Sequence, residues 1–141
     1  MAPVRYLLAS ALLLASCGEA PTITETVAPS ETVMLKPCPT PDPGRACEYD
    51  HATLPEEMTK AMAGDYQAQR NISEAFTNDA PWIVQDAVAG CAWRIVAIAN
   101  RPETSTYDDD GMYRIQCERL SATDLAQARG QAAQIKGSIR P

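Results

Sequence analysis

Apolar residues recur along this chain at helical rather than strand spacing. Leu54, Met58, Ala61, Met62, Ala68, Ile72, Ala75 and Phe76 fall on one face of a helical projection. Thr53 and Glu56 have capping-box spacing, and Pro55 lies where a first turn tolerates proline, so a helix is predicted to begin at Thr53. Gly64, Asp65 and Gln69 interrupt the face, which divides it into two shorter helices meeting near Gly64-Asp65. A strongly apolar run, PWIVQDAVAGCAWRIVAIAN, follows from Pro81 to Asn100, with Asp79 as its expected N-cap. Val84, Val88, Cys91, Ile95 and Ile98 share one stripe, and Trp82 and Trp93 lie on another. That pattern describes a central core helix covered on two sides. Trp93, Ile95 and Ala97 also alternate with Arg94, so a strand over 93–99 is the competing reading. A membrane span is disfavoured. Asp86 and Arg94 each oppose insertion by about 2.5–3.5 kcal/mol near the bilayer centre, against about 0.3–0.6 kcal/mol gained per Ile or Val.

NRPETSTYDDDG, from Asn100 to Gly111, reads as a loop. Beyond it, Tyr113, Ile115 and Cys117 alternate with Arg114, Gln116 and Glu118, which fits a short strand or a helix started by three aspartates. Ser121 and Asp124 form a capping box for a final helix. Leu125, Ala128, Ala132, Ile135 and Ile139 then repeat at 3, 4, 3 and 4, a seam of two heptads, with Gly137 expected to end the helix. The fold class is mainly α: a small disulfide-stabilised helical domain after a flexible tether. One short strand pair (α+β) is the alternative.

The N-terminus changes the picture. Met1 to Arg5 carry positive charge, Tyr6 to Leu14 are apolar, and Ala15 and Ser16 are small. That is the plan of an export signal. Nine apolar residues span only about 14 Å as a helix, where a bilayer core needs about 30 Å. Leu14-Ala15-Ser16-Cys17 resembles the lipobox of bacterial lipoproteins. The resemblance implies that residues 1–16 are a signal peptide cut before Cys17, and that Cys17 carries the acyl chains. Two or more such chains give stable anchoring. Gly18 stands where inner-membrane retention often uses Asp, so the family rule implies an outer-membrane anchor facing the periplasm, with the inner membrane as alternative. Residues 17–37 are then a tether, rich in Thr, Glu, Pro and Ala, that spans up to about 66 Å when stretched. Residues 38–52 form a Pro-rich disulfide loop, and residues 53–141 the helical domain.

Five cysteines fit this plan. With Cys17 lipidated, Cys38, Cys47, Cys91 and Cys117 remain, and an oxidising compartment favours two bridges. Of three connectivities, Cys38–Cys47 and Cys91–Cys117 close the shortest loops. Each would stabilise by about 2.5–3.5 kcal/mol on the chain-entropy model. A zinc site would need Cys38, Cys47, His51 and a fourth ligand, and the sequence has no closely spaced Cys pair. We therefore expect no metal and no cofactor.

The net charge is −6. No basic patch suits nucleic acid and no cationic helix suits anionic lipid. Asp108 to Asp110 are consecutive acids without the alternate spacing of a calcium loop, and read as a solvated turn. Glu56 and Glu57 read as first-turn dipole partners. The single histidine, His51, sits beside Asp50 and reads as a surface residue. No nucleophile, base and orienter assemble from these motifs, so an enzyme is not expected.

The reading that follows is a lipid-anchored, periplasm-facing interaction module, with the membrane and an envelope protein as partners. A second reading comes from Leu35 to Pro43, LKPCPTPDP, which together with the lipobox and tether is similar to the opening of phage outer-membrane spanin subunits. That resemblance implies a lysis function beside an inner-membrane partner, with the C-terminal heptad seam as the partner surface. A third is an inhibitor of a periplasmic hydrolase, its acidic loop entering a basic cleft.

Overall fold

The computed structural model describes residue 33 and residues 35–139. Cys17, the N-terminal apolar run and residues 18–32 of the expected tether lie outside the described residues. Five helices follow a short 3-10 turn at Pro43–Arg45: α1 (Ala46–Met62), α2 (Tyr66–Thr77), α3 (Ala87–Ala99), α4 (Asp109–Gln116) and α5 (Ala122–Ser138). Among the described residues there is no strand, and Leu35 and Ile83 form an isolated antiparallel bridge. Of the segments that left strand and helix open, 93–99 is helical, and 112–118 is helical as far as Gln116 and then a turn.

α3 is the central element. It packs against α2, α4 and α5, while α1 packs on α2. Its buried residues are Ala89, Gly90, Cys91, Ala92, Trp93, Arg94, Val96 and Ala97. The expected stripe is thus only partly right: Cys91 is buried, but Val88, Ile95 and Ile98 are half-buried. Residue size explains the shift. Glycine and alanine let neighbouring helices approach closely, so the small-residue side of α3 becomes the crowded one.

Two helix starts differ from expectation. α1 begins at Ala46, so Pro55 lies inside it and Thr53 donates to the Tyr49 carbonyl instead of capping. The cause is the Cys38–Cys47 bridge, which fixes buried Cys47 in the first turn. Gly44, at φ 83°, turns the chain into that helix. α3 begins only at Ala87, where the Asp86 carboxylate accepts from the Ala89 amide at 2.9 Å. Asp79 caps nothing there, because residues 81–83 form a turn and the bridge to Leu35. The Lys36 amide donates to the Trp82 carbonyl at 2.7 Å, and Ile83 is buried. Val33 is buried too, so the last residues of the expected tether belong to the core.

Other signals hold. Gly64, at φ 94°, separates α1 from α2, and Asp65 caps α2 through the Ala68 amide. Ser121 accepts from the Asp124 amide at 3.1 Å. Gly137, expected to end α5, instead lies inside it, and the helix ends one residue later at Ser138. Ala128, Ala132 and Ile135 of the heptad seam are buried in the core that α5 forms with α3. The bridges are Cys38–Cys47 and Cys91–Cys117, with Cα separations of 5.6 and 5.1 Å. No helix among the described residues is long and apolar enough to cross a membrane.

Gly90 sits where α3 meets α2. A Cβ there would overlap Thr77 Cγ2 and lie 3.2 Å from the Ser73 carbonyl oxygen. Gly90→Ala is therefore expected to destabilise by about 1–3 kcal/mol. Gly130, in α5, faces open space, so Gly130→Ala should stabilise by about 0.5–1 kcal/mol. Urea unfolding of the two variants checks both signs.

Candidate functional site

The feature that sets this helical domain apart is a buried polar network between α2, α3 and α4. Its centre is Arg94, which the central position of α3 removes wholly from solvent. Its guanidinium donates to Asp109 Oδ1 at 2.7 Å and to Gln116 Oε1 at 2.8 Å, both on α4. A longer contact of 3.4 Å reaches Glu74 on α2. Asp109 is also fully buried. Its carboxylate accepts from the Tyr66 hydroxyl and lies 3.6 Å from Arg70 Nε. Buried Asp109 and half-exposed Glu74 therefore balance two arginines, Arg94 and Arg70, that are shielded from solvent. Such a cluster is tolerated because its charges offset one another, although Arg70 Nε itself has no hydrogen-bond partner.

Polar groups around the cluster extend it. Gln116 Nε2 donates to Thr77 Oγ1, and Ser73 Oγ lies within hydrogen-bond reach of Gln116 and the Gly90 carbonyl. Tyr107 closes the outer side. The Arg70 guanidinium sits over its ring, 3.0 Å from Cζ to centroid, and the Tyr107 hydroxyl donates to Glu74 at 2.9 Å. Burial, reinforced by donation to Asp109, pushes the Tyr66 phenol above its ordinary value.

A groove of about 690 Å³ opens beside this network. Phe76, Met112, Ile115 and Leu120 make its apolar walls, and Glu74, Gln116 and Arg119 its polar ones. Ile115 is 51% exposed and Tyr107 36% exposed, so an apolar edge faces outward here. The groove combines apolar walls with hydrogen-bonding groups along its border.

The sequence-predicted residues are distributed as follows. Cys17 lies outside the described residues. The other four cysteines are bridged as expected. His51 is half-buried, with Nε2 2.9 Å from the Lys36 carbonyl oxygen. Its ring comes within 4.8 Å of the Cys38 and Cys47 sulfurs, but those sulfurs are bonded to each other. Glu56 and Glu57 stand in the third turn of α1 rather than its first, because that helix starts early. Their hydrogen bonds to Lys60 hold its ammonium above the usual value.

Asp108 to Asp110 are not a uniformly solvated turn. Asp108 caps α4 through the Gly111 amide, Asp109 is buried, and exposed Asp110 pairs with Arg101 at 3.1 Å. Consecutive residues at a helix start point in different directions, which is why three adjacent acids take three roles. Sequence reading missed the network itself. One signal was present: a lone Arg94 inside an apolar run that begins with its own acid cap.

Comparison of the chain with protein-family models, curated proteins and solved structures gives no match.

Asp109→Ala leaves the buried Arg94 charge without its closest partner and should cost about 3–5 kcal/mol in urea unfolding. Replacing Arg94 and Asp109 together by Met and Leu should cost clearly less than the single change. The alkaline limb gives a further check. A raised phenol value means that the Tyr66 contribution is intact below pH about 10 and is lost as pH rises through the folded-state value. Tyr66→Phe should therefore decline more gently than the parent above pH about 10.

Proposed function

We propose that this chain is a lipid-anchored module of the bacterial envelope, held at the outer membrane through Cys17 and acting by binding another envelope protein rather than by catalysis. The observation that carries the reading is the cysteine pairing. Four of the five cysteines close two bridges with one another, which leaves Cys17 with no cysteine in the chain to pair with. Disulfides of this kind persist in oxidising compartments, such as a bacterial periplasm. A cysteine left over after Leu-Ala-Ser, behind an apolar run too short to span a bilayer, then finds its use as the acylation site.

The non-enzymatic part takes support from the chemistry of the network. Arg94 and Asp109 are fully buried and hydrogen-bonded to protein groups. Their charges are committed to joining helices rather than to a substrate. The groove between Tyr107 and Leu120 is the surface on which this reading places the partner. The spanin and inhibitor readings gain no second observation. The heptad seam that a spanin partner would use is taken by the core, and one of the three loop acids is buried.

Expression of the full chain in a bacterium with lipoprotein processing tests the anchor. The product should sediment with outer membranes and have Cys17 as its first residue, with a mass raised by acyl chains. Cys17→Ala should stay uncleaved or appear in the soluble periplasm. A soluble parent that begins elsewhere and carries no added lipid would contradict the proposal.

A further inference from the structure

The two disulfides sit in opposite chemical settings. Cys91 and Cys117 are both fully buried, and Cys117 Sγ lies 3.6 Å from the Cys91 carbonyl oxygen within the core. No attacking group reaches either sulfur without unfolding. Cys38 is half-buried on a loop whose neighbours Lys36, Pro37, Pro39 and Thr40 are exposed. Its partner Cys47 is fully buried. Access is therefore lopsided: of the two bridged residues, only Cys38 is open to solvent.

The leaving sulfur is equally well defined. Cys47 is the second residue of α1, a helix of 17 residues. Its sulfur leaves beside first-turn amides and the positive end of the helix dipole, which lower a thiolate's energy. His51, one turn further along α1, places a ring nitrogen within 4.8 Å of both sulfurs. A carbonyl oxygen only accepts, so the contact to Lys36 fixes the proton on Nε2. Lys36 is exposed beside the loop, and the other charged neighbours have partners of their own, that of Asp42 within the first turn of α1 itself. Arg45 pairs with Glu48, Asp42 accepts from the Glu48 amide, and Asp50 accepts from Trp82 Nε1.

We infer that Cys38–Cys47 is a thiol–disulfide exchange site for a dithiol, with Cys38 the attacked sulfur, Cys47 the leaving sulfur and His51 the residue that eases its departure. A thiolate of the dithiol bonds to Cys38 Sγ. The Cys38–Cys47 bond breaks, and its electron pair leaves on Cys47 Sγ, which then takes a proton. The second thiol of the dithiol, having lost its proton, attacks its own sulfur in the mixed disulfide and releases Cys38 as a thiolate. Two electrons pass to the protein, and the dithiol ends as a disulfide. Low leaving-group basicity and one-sided access are the features that speed such exchange. The inference does not rest on the lipid anchor and goes beyond the binding role.

The test uses the full chain, folded, without denaturant. Dithiothreitol is added for graded times, then acid quench, alkylation and peptide mapping follow. Cys38–Cys47 should open while Cys91–Cys117 stays closed. With glutathione as a monothiol probe, the trapped adduct should sit on Cys38. His51→Gln keeps an amide donor for the Lys36 carbonyl and should slow opening several-fold at unchanged helicity. Adduct on Cys47, simultaneous opening of both bridges, or an unchanged rate in folded His51→Gln would each overturn the assignment. If His51→Gln fails to fold, the position of the glutathione adduct on the parent chain decides.

Discussion

A guanidinium with no access to water needs an anion beside it, and that requirement organises this domain. Arg94 lies on the most buried face of the central helix. Once it is there, Asp109 must be there too, and Asp109 brings α4 with it. Tyr66 then follows, because the second carboxylate oxygen needs a donor, and Arg70 stands 3.6 Å from the same carboxylate. One buried cation thus links α2, α3 and α4 in a way that apolar packing alone does not specify. Apolar packing sets which faces meet, and the ion pair sets which short segment docks and in what register.

α4 shows why the constraint matters. It has eight residues, whereas an isolated helix shorter than about 12–15 residues is marginal in water. Its persistence comes from three attachments: the Asp108 cap, the Arg94–Asp109 pair and the Cys91–Cys117 bridge just past its end. The outward groove wall, Met112 and Ile115, is carried by this same helix. The surface proposed for a partner therefore depends on interactions buried behind it.

Much of the architecture was legible from residue spacing. The break at Gly64-Asp65, the Ser121–Asp124 cap, the mainly helical class and both bridges follow from local rules or loop length. The errors have a common form. Pro55 and Asp79 carry strong local start signals, yet α1 starts earlier and α3 later. Long-range contacts decided those places: the Cys38–Cys47 bridge for the first and the Leu35–Ile83 bridge for the second. Arg94 and Asp109 were read singly, one as a charge that opposes membrane insertion and one as a loop acid. Their pairing spans 15 residues and has no helical or strand period, so no local pattern exposes it.

Amide hydrogen exchange on the intact, oxidised chain probes the constraint most directly, because it reads the strength of each helix separately. If the buried guanidinium binds α4 into the core, the amides of Tyr113 to Cys117 exchange only through the global opening that also releases the α3 amides. Exchange of α4 through a separate local opening, well before α3, would contradict the account.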